Sequence, residues 1–476
     1  LLRGLDAQLD AYQATITVGQ FGRGYRQWAF AAFAQDQWRA TRRLSLHYGL
    51  RYDYNAPWTE VNGKLSNFIP GQGVVSNLAR LYTASALNLG PRAGFAYDLT
   101  GRQTTVLRGG FGILFETLLQ ASTVQQIENN PPYSASAVTT APAPFPQNAS
   151  PATTLLDLGA SAQPSNSLAA VPSRLPTPYN MQFFFEMERA IARDWTLTLG
   201  YHGARGVHLP FNYNINQVPL DTLTAAQISI GNPPRPYPAF NAISLFANDA
   251  TSTYHSLQTR LERRFRAGFN LLAAYTWSKS IDTASDFGSG DPSESILDSR
   301  RLDLQKGLSS FDVPHRFTAA FNYLIPAPRL RALLGGWQAN GLITWQSGQP
   351  FTPYTSAFDP YRNESFNRLN VVGDPNRNVP AGLAYNPSAF TLPAPGTFGT
   401  SGRNIARGDG YRSADLSLFR NFTLRESLKL QLRAEASNAL NQVNFQGPVT
   451  NQSTTPGAFV AAAPPRTIQL GARLSF

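Results

Sequence analysis

The sequence has no cysteine, only 2 methionines in 476 residues, and only 14% charged side chains. Without cysteine there are no disulfides, no thiolate metal sites and no thiol nucleophile. A soluble globular domain carries about 25% charged residues, so the shortfall argues against an ordinary cytosolic protein. Long apolar runs are missing too. No stretch of about 18 apolar residues occurs, which excludes a helical membrane span. Phosphate-binding loops, nucleophile elbows and the zinc-helix signature are absent, and the five histidines (His47, His202, His208, His255 and His315) never fall at i, i+4. The chain starts Leu1-Leu2-Arg3, with no initiator methionine and no leader, so a missing N-terminal portion is expected.

Aromatic residues are plentiful at 12%, the net charge is +11 and the mean hydropathy is -0.25. The arginines are spread along the chain instead of clustering, so no nucleic-acid partner is expected. The one membrane architecture left is a barrel, whose strands alternate and look only mildly apolar on average.

Alternation is the dominant pattern. In 427–437, Leu428, Leu430, Leu432, Ala434 and Ala436 share one face, and Lys429, Gln431, Arg433 and Glu435 share the other. In 44–54, Leu44, Leu46, Tyr48, Leu50, Tyr52 and Tyr54 alternate with Ser45, His47, Gly49, Arg51 and Asp53. About fourteen such segments are predicted: 11–18, 26–38, 43–54, 91–99, 104–116, 179–189, 194–202, 253–265, 269–279, 314–324, 336–347, 411–420, 427–437 and 466–476. Most have the roughly 9–11 residues that a tilted spanning strand needs. The fold class expected is therefore all-β, an antiparallel outer-membrane barrel.

The connections alternate as well. Short ones near 39–42, 100–103, 190–193, 266–268, 325–335 and 421–426 separate long ones at 55–90, 117–178, 203–252, 280–313, 348–410 and 438–465. That is expected when one end of a barrel carries tight periplasmic turns and the other carries extracellular loops. The Pro-, Ala-, Ser- and Thr-rich segment 131–178 is expected to lack regular structure. The short turns hold Arg39, Arg42, Arg102, Arg193, Arg266, Arg329, Arg331 and Arg425. They read as solvated hairpin ends or as contacts for leaflet phosphates.

Parity puts Arg51, Asp53, Arg108, Arg260, Glu262, Arg264, Asp415, Lys429, Arg433 and Glu435 away from the apolar face. A lysine or arginine facing lipid at the midplane costs about 2–4 kcal/mol, so these residues are expected to face a wet lumen or a plug. They either pair across neighbouring strands or grip a plug and line a path. The glycines of LRGGFGILFE (107–116) mimic a dinucleotide fingerprint but lie inside an alternating strand. The acidic loop 280–313, with Asp282, Asp286, Asp291, Glu294, Asp298 and Asp303, lacks the EF-hand order and reads as a solvated loop. Arg407-Gly408-Asp409 spells an adhesion tripeptide and reads as chance. No catalytic set, metal or cofactor is expected.

Several phrases carry a resemblance: FAQDQWRATRRLSLHYGLRYDY (33–54), PRAGFAYD (91–98), YTWSKSID (275–282), SSFDVPHRF (309–317), GGWQANGLITWQSGQPF (335–351), NIARGDGYRSADLSLFRNF (404–422) and LQLRAEASNALNQVNF (430–445). In this order and spacing the chain resembles the C-terminal barrels of TonB-dependent receptors that carry a carboxypeptidase-regulatory-like domain, the Oar-like group. Asp409 stands where that group often has proline. The resemblance implies a 22-stranded barrel closed by an N-terminal plug whose short box is pulled by the inner-membrane TonB complex. Residues 1–476 would then be the C-terminal barrel portion, without plug or regulatory domain. It also implies that the terminal segment 466–476, with Leu470, Leu474 and Phe476, is read by the barrel-assembly machinery. Such a receptor sits among outer-membrane lipid and lipopolysaccharide and imports a large or scarce extracellular solute. A passive channel or surface-adhesion barrel is the rival class; an outer-membrane enzyme would need a nucleophile or paired-acid set that parity does not assemble. Strands evolved for a larger circumference are expected to stay open when taken alone.

Overall fold

The computed structural model describes residues 13–20, 22–116, 125–140, 167–219, 223–224, 226–227, 234–286, 296–326, 335–355, 367–394, 396–425, 428–452 and 455–476. Thirteen strands form one continuous antiparallel wall, each hydrogen-bonded to its neighbours in chain order. They are β1 (Ala29–Trp38), β2 (Leu44–Asn55), β3 (Leu89–Asp98), β4 (Thr105–Phe115), β5 (Tyr179–Ala192), β6 (Trp195–Asn214), β7 (Ile243–Arg266), β8 (Phe269–Asp282), β9 (His315–Leu324), β10 (Trp337–Gln346), β11 (Tyr411–Thr423), β12 (Lys429–Ser437) and β13 (Thr467–Ser475). No helix among the described residues is long and apolar enough to cross a membrane.

Thirteen of the fourteen expected segments enter this wall. The exception is 11–18. Gln13–Gly19 pairs instead with Ser134–Thr140 in a separate two-stranded ladder. Alternation reports a half-buried strand but not which sheet will bury it. The wall is open, as expected. Its free edges are β1 and β13, so the N-terminal edge lies at 29–38 and not near 11–18. The glycines of 107–116 lie inside a strand as expected, Thr105–Phe115, and the rings of Phe95 and Phe184 lie against Gly109 and Gly110.

Two strands are longer than the sequence suggests. β6 and β7 run 20 and 24 residues and pair from Trp195↔Arg263 out to Asn214↔Ser244. Gly203, Gly206 and Pro210 mask this extension in the sequence, and register shifts at Gly206/Leu209 and Leu209/Phe211 absorb them. At the opposite end the β7–β8 connection is Ala267-Gly268, with φ of 51° and 81°. Two consecutive positive φ values make the tight hairpin whose twist matches its strands.

The water-excluding cores lie in the loops. One gathers Leu65, Leu81, Tyr82, Ile127, Val171, Leu175 and Phe246, and a second gathers Leu369, Tyr385, Phe390 and Ala406. The expectation of an unstructured 131–178 is corrected accordingly. Ser134–Thr140 is a strand, and Leu168–Ala170 is buried and pairs in parallel with Ile243–Leu245. Residues 141–166 of that segment lie outside the described residues. Asparagine side chains act there as surrogate strand partners. Asn67 Nδ2 donates to the Val171 carbonyl while the Val171 N–H donates back to Asn67 Oδ1, at 2.8 and 2.9 Å. Asn130 does the same with Ala169.

Candidate functional site

The register sorts the wall into two faces, because residues paired across antiparallel strands share a face. One row runs Tyr48–Ala93–Phe111–Phe183–Gly203 from β2 to β6. Another runs Leu199–Thr259–Tyr275–Phe317–Trp345 from β6 to β10. Leu430 joins the same face through Phe422, and Leu432 through Arg420. Large exposed side chains crowd it, including Trp38, Tyr48, Phe185, Leu199, Trp277 and Leu470. Aromatic residues collect at both margins. At the turn end stand Trp38, Trp195, Phe269, Tyr323, Trp337 and Phe422, and toward the loop end Tyr201, Tyr275, Trp277 and Trp345. An apolar band between two aromatic girdles is the surface that lipid requires. One carboxylate, Asp36, lies on this face near the turn end of edge strand β1, where the Tyr48 hydroxyl donates to it at 3.0 Å.

The opposite face carries the polar candidates. Arg51, Asp53, Arg108, Arg260, Glu262, Asp415, Lys429, Arg433 and Glu435 all fall on it by register. Arg264 stands at the Arg263/Arg266 register shift, where strict parity no longer applies. Most pairing runs along a strand and not across it. Arg51 meets Asp53 at 2.8 Å, Arg260 meets Glu262 at 3.0 Å, and Arg433 lies 3.7 Å from Glu435. Residues at i and i+2 point the same way, which allows this. Arg108 does cross, to Glu188 at 2.9 Å, and His202 sits 3.2 Å from Glu186. Asp415 accepts from the Ser413 and Ser437 hydroxyls and the Asn438 N–H. A cavity of about 1130 Å³ opens on this face across β1–β7, lined by His47, Arg51, Arg92, Arg108, Gln182 and His202 among others. The face is not uniformly polar: Phe33, Leu272 and Leu342 are exposed on it.

The acidic loop is not the solvated loop expected. Asp282 and Asp298 are buried, and so is Asp312. Arg403, itself buried, ion-pairs with Asp282 and donates to the Gln305 carbonyl. Arg407 pairs with Asp312 at 2.8 Å and donates to the Gly348 carbonyl, so the arginine of the adhesion-like tripeptide holds two loops together. Asp303 does lie exposed, paired with Arg301 at 2.9 Å. Asp291 and Glu294 lie outside the described residues. No cluster suited to a metal ion occurs among the described residues. Composition could not find these pairs, because each arginine lies about a hundred residues from its carboxylate.

Glu60 and Asp194, both outside the spanning segments, are among the carboxylates with lowered pKa values. Glu60 is buried, which opposes ionisation, but the N–H groups of Lys64, Gly24 and Asn62 converge on its carboxylate and outweigh that. Asp194, in the β5–β6 turn, is held in the charged form by hydrogen bonding to Arg263, with Arg266 adding to it. Of the turn arginines, Arg266 is thus an ion-pair partner and half exposed, and Arg329 and Arg331 lie outside the described residues. Leu470 and Leu474 are exposed on the apolar face of β13, and Phe476 follows it, almost fully exposed.

Comparison with known proteins gives the same architecture. The chain aligns with the outer membrane transporter YddB from Escherichia coli at a TM-score of 0.51 and 13% identity, over 94% of this chain and 45% of that one. It aligns with the ferric enterobactin receptor PfeA from Pseudomonas aeruginosa, studied as a double mutant, at 0.48 and 12%, over 94% and 45%. The siderophore receptor PiuA from Acinetobacter baumannii aligns at 0.47 and 10%, over 95% and 43%. The chain therefore spans less than half the length of these structures. No curated protein matches it in sequence. The model of the outer membrane beta barrel domain matches residues 5–469. The chain belongs to that family, and its place is the outer membrane.

Proposed function

We propose that residues 1–476 are the C-terminal barrel portion of a TonB-dependent receptor of the Oar-like group. It would bind a large or scarce extracellular solute and admit it to the periplasm. The observation that carries this reading is the two-faced wall. One face is apolar and girdled for lipid, and the other bears ion pairs over a wide cavity. A wall of paired charges suits passage of a solute or docking of a plug. The buried loop cores at one end suit a preformed rim that recognises a solute. The resemblance in sequence supports TonB coupling, assigned to a plug outside this chain. On the same reading the long loops face outward, Phe476 with Leu470 and Leu474 addresses the barrel-assembly machinery, and the protein works without a cofactor and is no enzyme.

The test uses cells that carry the native gene product. Solute uptake should collapse when the protonmotive force is dissipated or TonB is removed. Uptake that survives both treatments would mark a passive channel. Cell attachment without uptake would mark an adhesion barrel.

A further inference from the structure

One segment of the β10–β11 loop, 401–407, lies against the β8–β9 loop and grips it residue after residue. Arg403 ion-pairs with Asp282 at the end of β8, and it donates to the Asp282 and Gln305 carbonyls at 2.8 Å each. Asn404 Nδ2 donates to the Leu308 carbonyl at 2.7 Å, and the Asn404 N–H donates to the Thr352 hydroxyl just past β10. Ala406 pairs with Phe351. Arg407 donates to the Asp312 carboxylate at 2.8 Å and to the Gly348 carbonyl at 2.6 Å. Other parts of its own loop hold the segment as well. The Ser401 N–H donates to the Leu369 carbonyl, and Asn376 donates to the Ile405 carbonyl while accepting from the Arg407 N–H. Arg368 adds a further link between the loops, to the Leu304 carbonyl and the Gln305 side-chain oxygen.

A second observation is independent of these bonds. Where the segment meets its neighbours, backbone touches backbone. A Cβ on Gly307 would stand 2.6 Å from the Arg403 carbonyl oxygen, and one on Gly348 would overlap the Gly408 carbonyl. Both crossings therefore need glycine. Ser401, Arg403, Asn404 and Ala406 are buried. A loop that lifts and closes is built from exposed segments with few buried contacts. This segment is the reverse. Parting the loops breaks a buried ion pair, whose loss is costly and which salt screens only weakly.

We propose that 401–407 is a strap that locks the β8–β9 and β10–β11 loops into one body, so that this sector of the loop end is a preformed surface and not a lid. On the function proposed above, and resting on it, a solute would meet this sector already assembled. The lock itself does not depend on that function.

The experiment uses the 476-residue chain folded in detergent micelles, with folding of the wall followed by heat-modifiable gel mobility. Nitroxide labels are attached at Lys306→Cys and Val372→Cys, exposed positions in the two loops of a chain without cysteine, and the distance between them is read by pulsed electron spin resonance. The intact strap should give one narrow distance distribution, unchanged in molar salt. Arg403→Ala/Arg407→Ala should widen it about twofold while the wall stays folded. Gly307→Val, which removes no charge, should widen it as well. Asp303→Asn, which breaks only the exposed pair with Arg301, should leave it narrow. A broad distribution in the intact chain would overturn the proposal, as would a narrow one in either strap variant or equal widening by Asp303→Asn. No solute is present, so a narrow distribution in a protein that imports nothing keeps the strap and removes only the receptor reading.

Discussion

At the scale of single residues, the structure rests its loops on buried charge. The Asp282 and Arg403 side chains are 1% and 0% exposed and join the end of β8 to the loop before β11. Removing one partner of such a pair strands the other and costs about 3–5 kcal/mol, whereas replacing both by apolar groups costs much less. Asp282→Ala should therefore loosen the loop end, seen as faster proteolysis between 283 and 314, and Asp282→Leu/Arg403→Met should recover most of the protection. If the double variant were cut as fast as the single one, the pair would not be the fastening. Glu60 gives a pH-dependent case. Its folded pKa is depressed, so its contribution is complete above the ordinary glutamate value of about 4.3 and fades as pH falls through the lower folded value. Amide exchange at Gly24, Asn62 and Lys64, normalised for its intrinsic pH dependence, should lose protection in that acid window. Glu60→Gln should remove the transition.

At the scale of elements, the strands were legible and the loops were not. A period of two in Leu428–Ser437 or Leu44–Asn55 is enough to place a strand and divide its faces, because only one side meets lipid. The polar residues Arg51, Arg260 and Arg433 were placed by the same parity, and so were their partners Asp53, Glu262 and Glu435, although pairing was expected across strands and not along one. The same rule misassigned 11–18, whose partner is a loop strand. It also stopped β6 short at glycines and a proline, near which the structure shifts register, and stopped its partner β7 short as well. Loop cores escaped because Leu65, Phe68, Tyr82 and Tyr385 have no period to announce them; their burial depends on contacts between distant segments. The facing itself can be challenged on one strand. Leu430→Arg should destabilise the wall by about 2–4 kcal/mol, and Gln431→Arg, on the other face, should be mild. Equal losses in urea unfolding from lipid vesicles would contradict the division.

At the scale of the whole molecule, thirteen strands make a wall with two free edges, and the structures it resembles are more than twice as long. An open edge in lipid leaves a row of backbone groups without partners. β1 and β13 therefore call for partners that this wall does not supply. On the function proposed above, the wall crosses the outer membrane with its packed loops outside and its tight turns inside. The absence of cysteine permits a direct measurement. Val372→Cys, exposed in the loop between β10 and β11, and Arg102→Cys, in the β3–β4 turn, are introduced singly into the native protein. Intact cells are treated with a membrane-impermeant maleimide. Val372→Cys should be labelled, and Arg102→Cys should not be until the outer membrane is permeabilised. Labelling of Arg102→Cys on intact cells, with Val372→Cys protected, would contradict it.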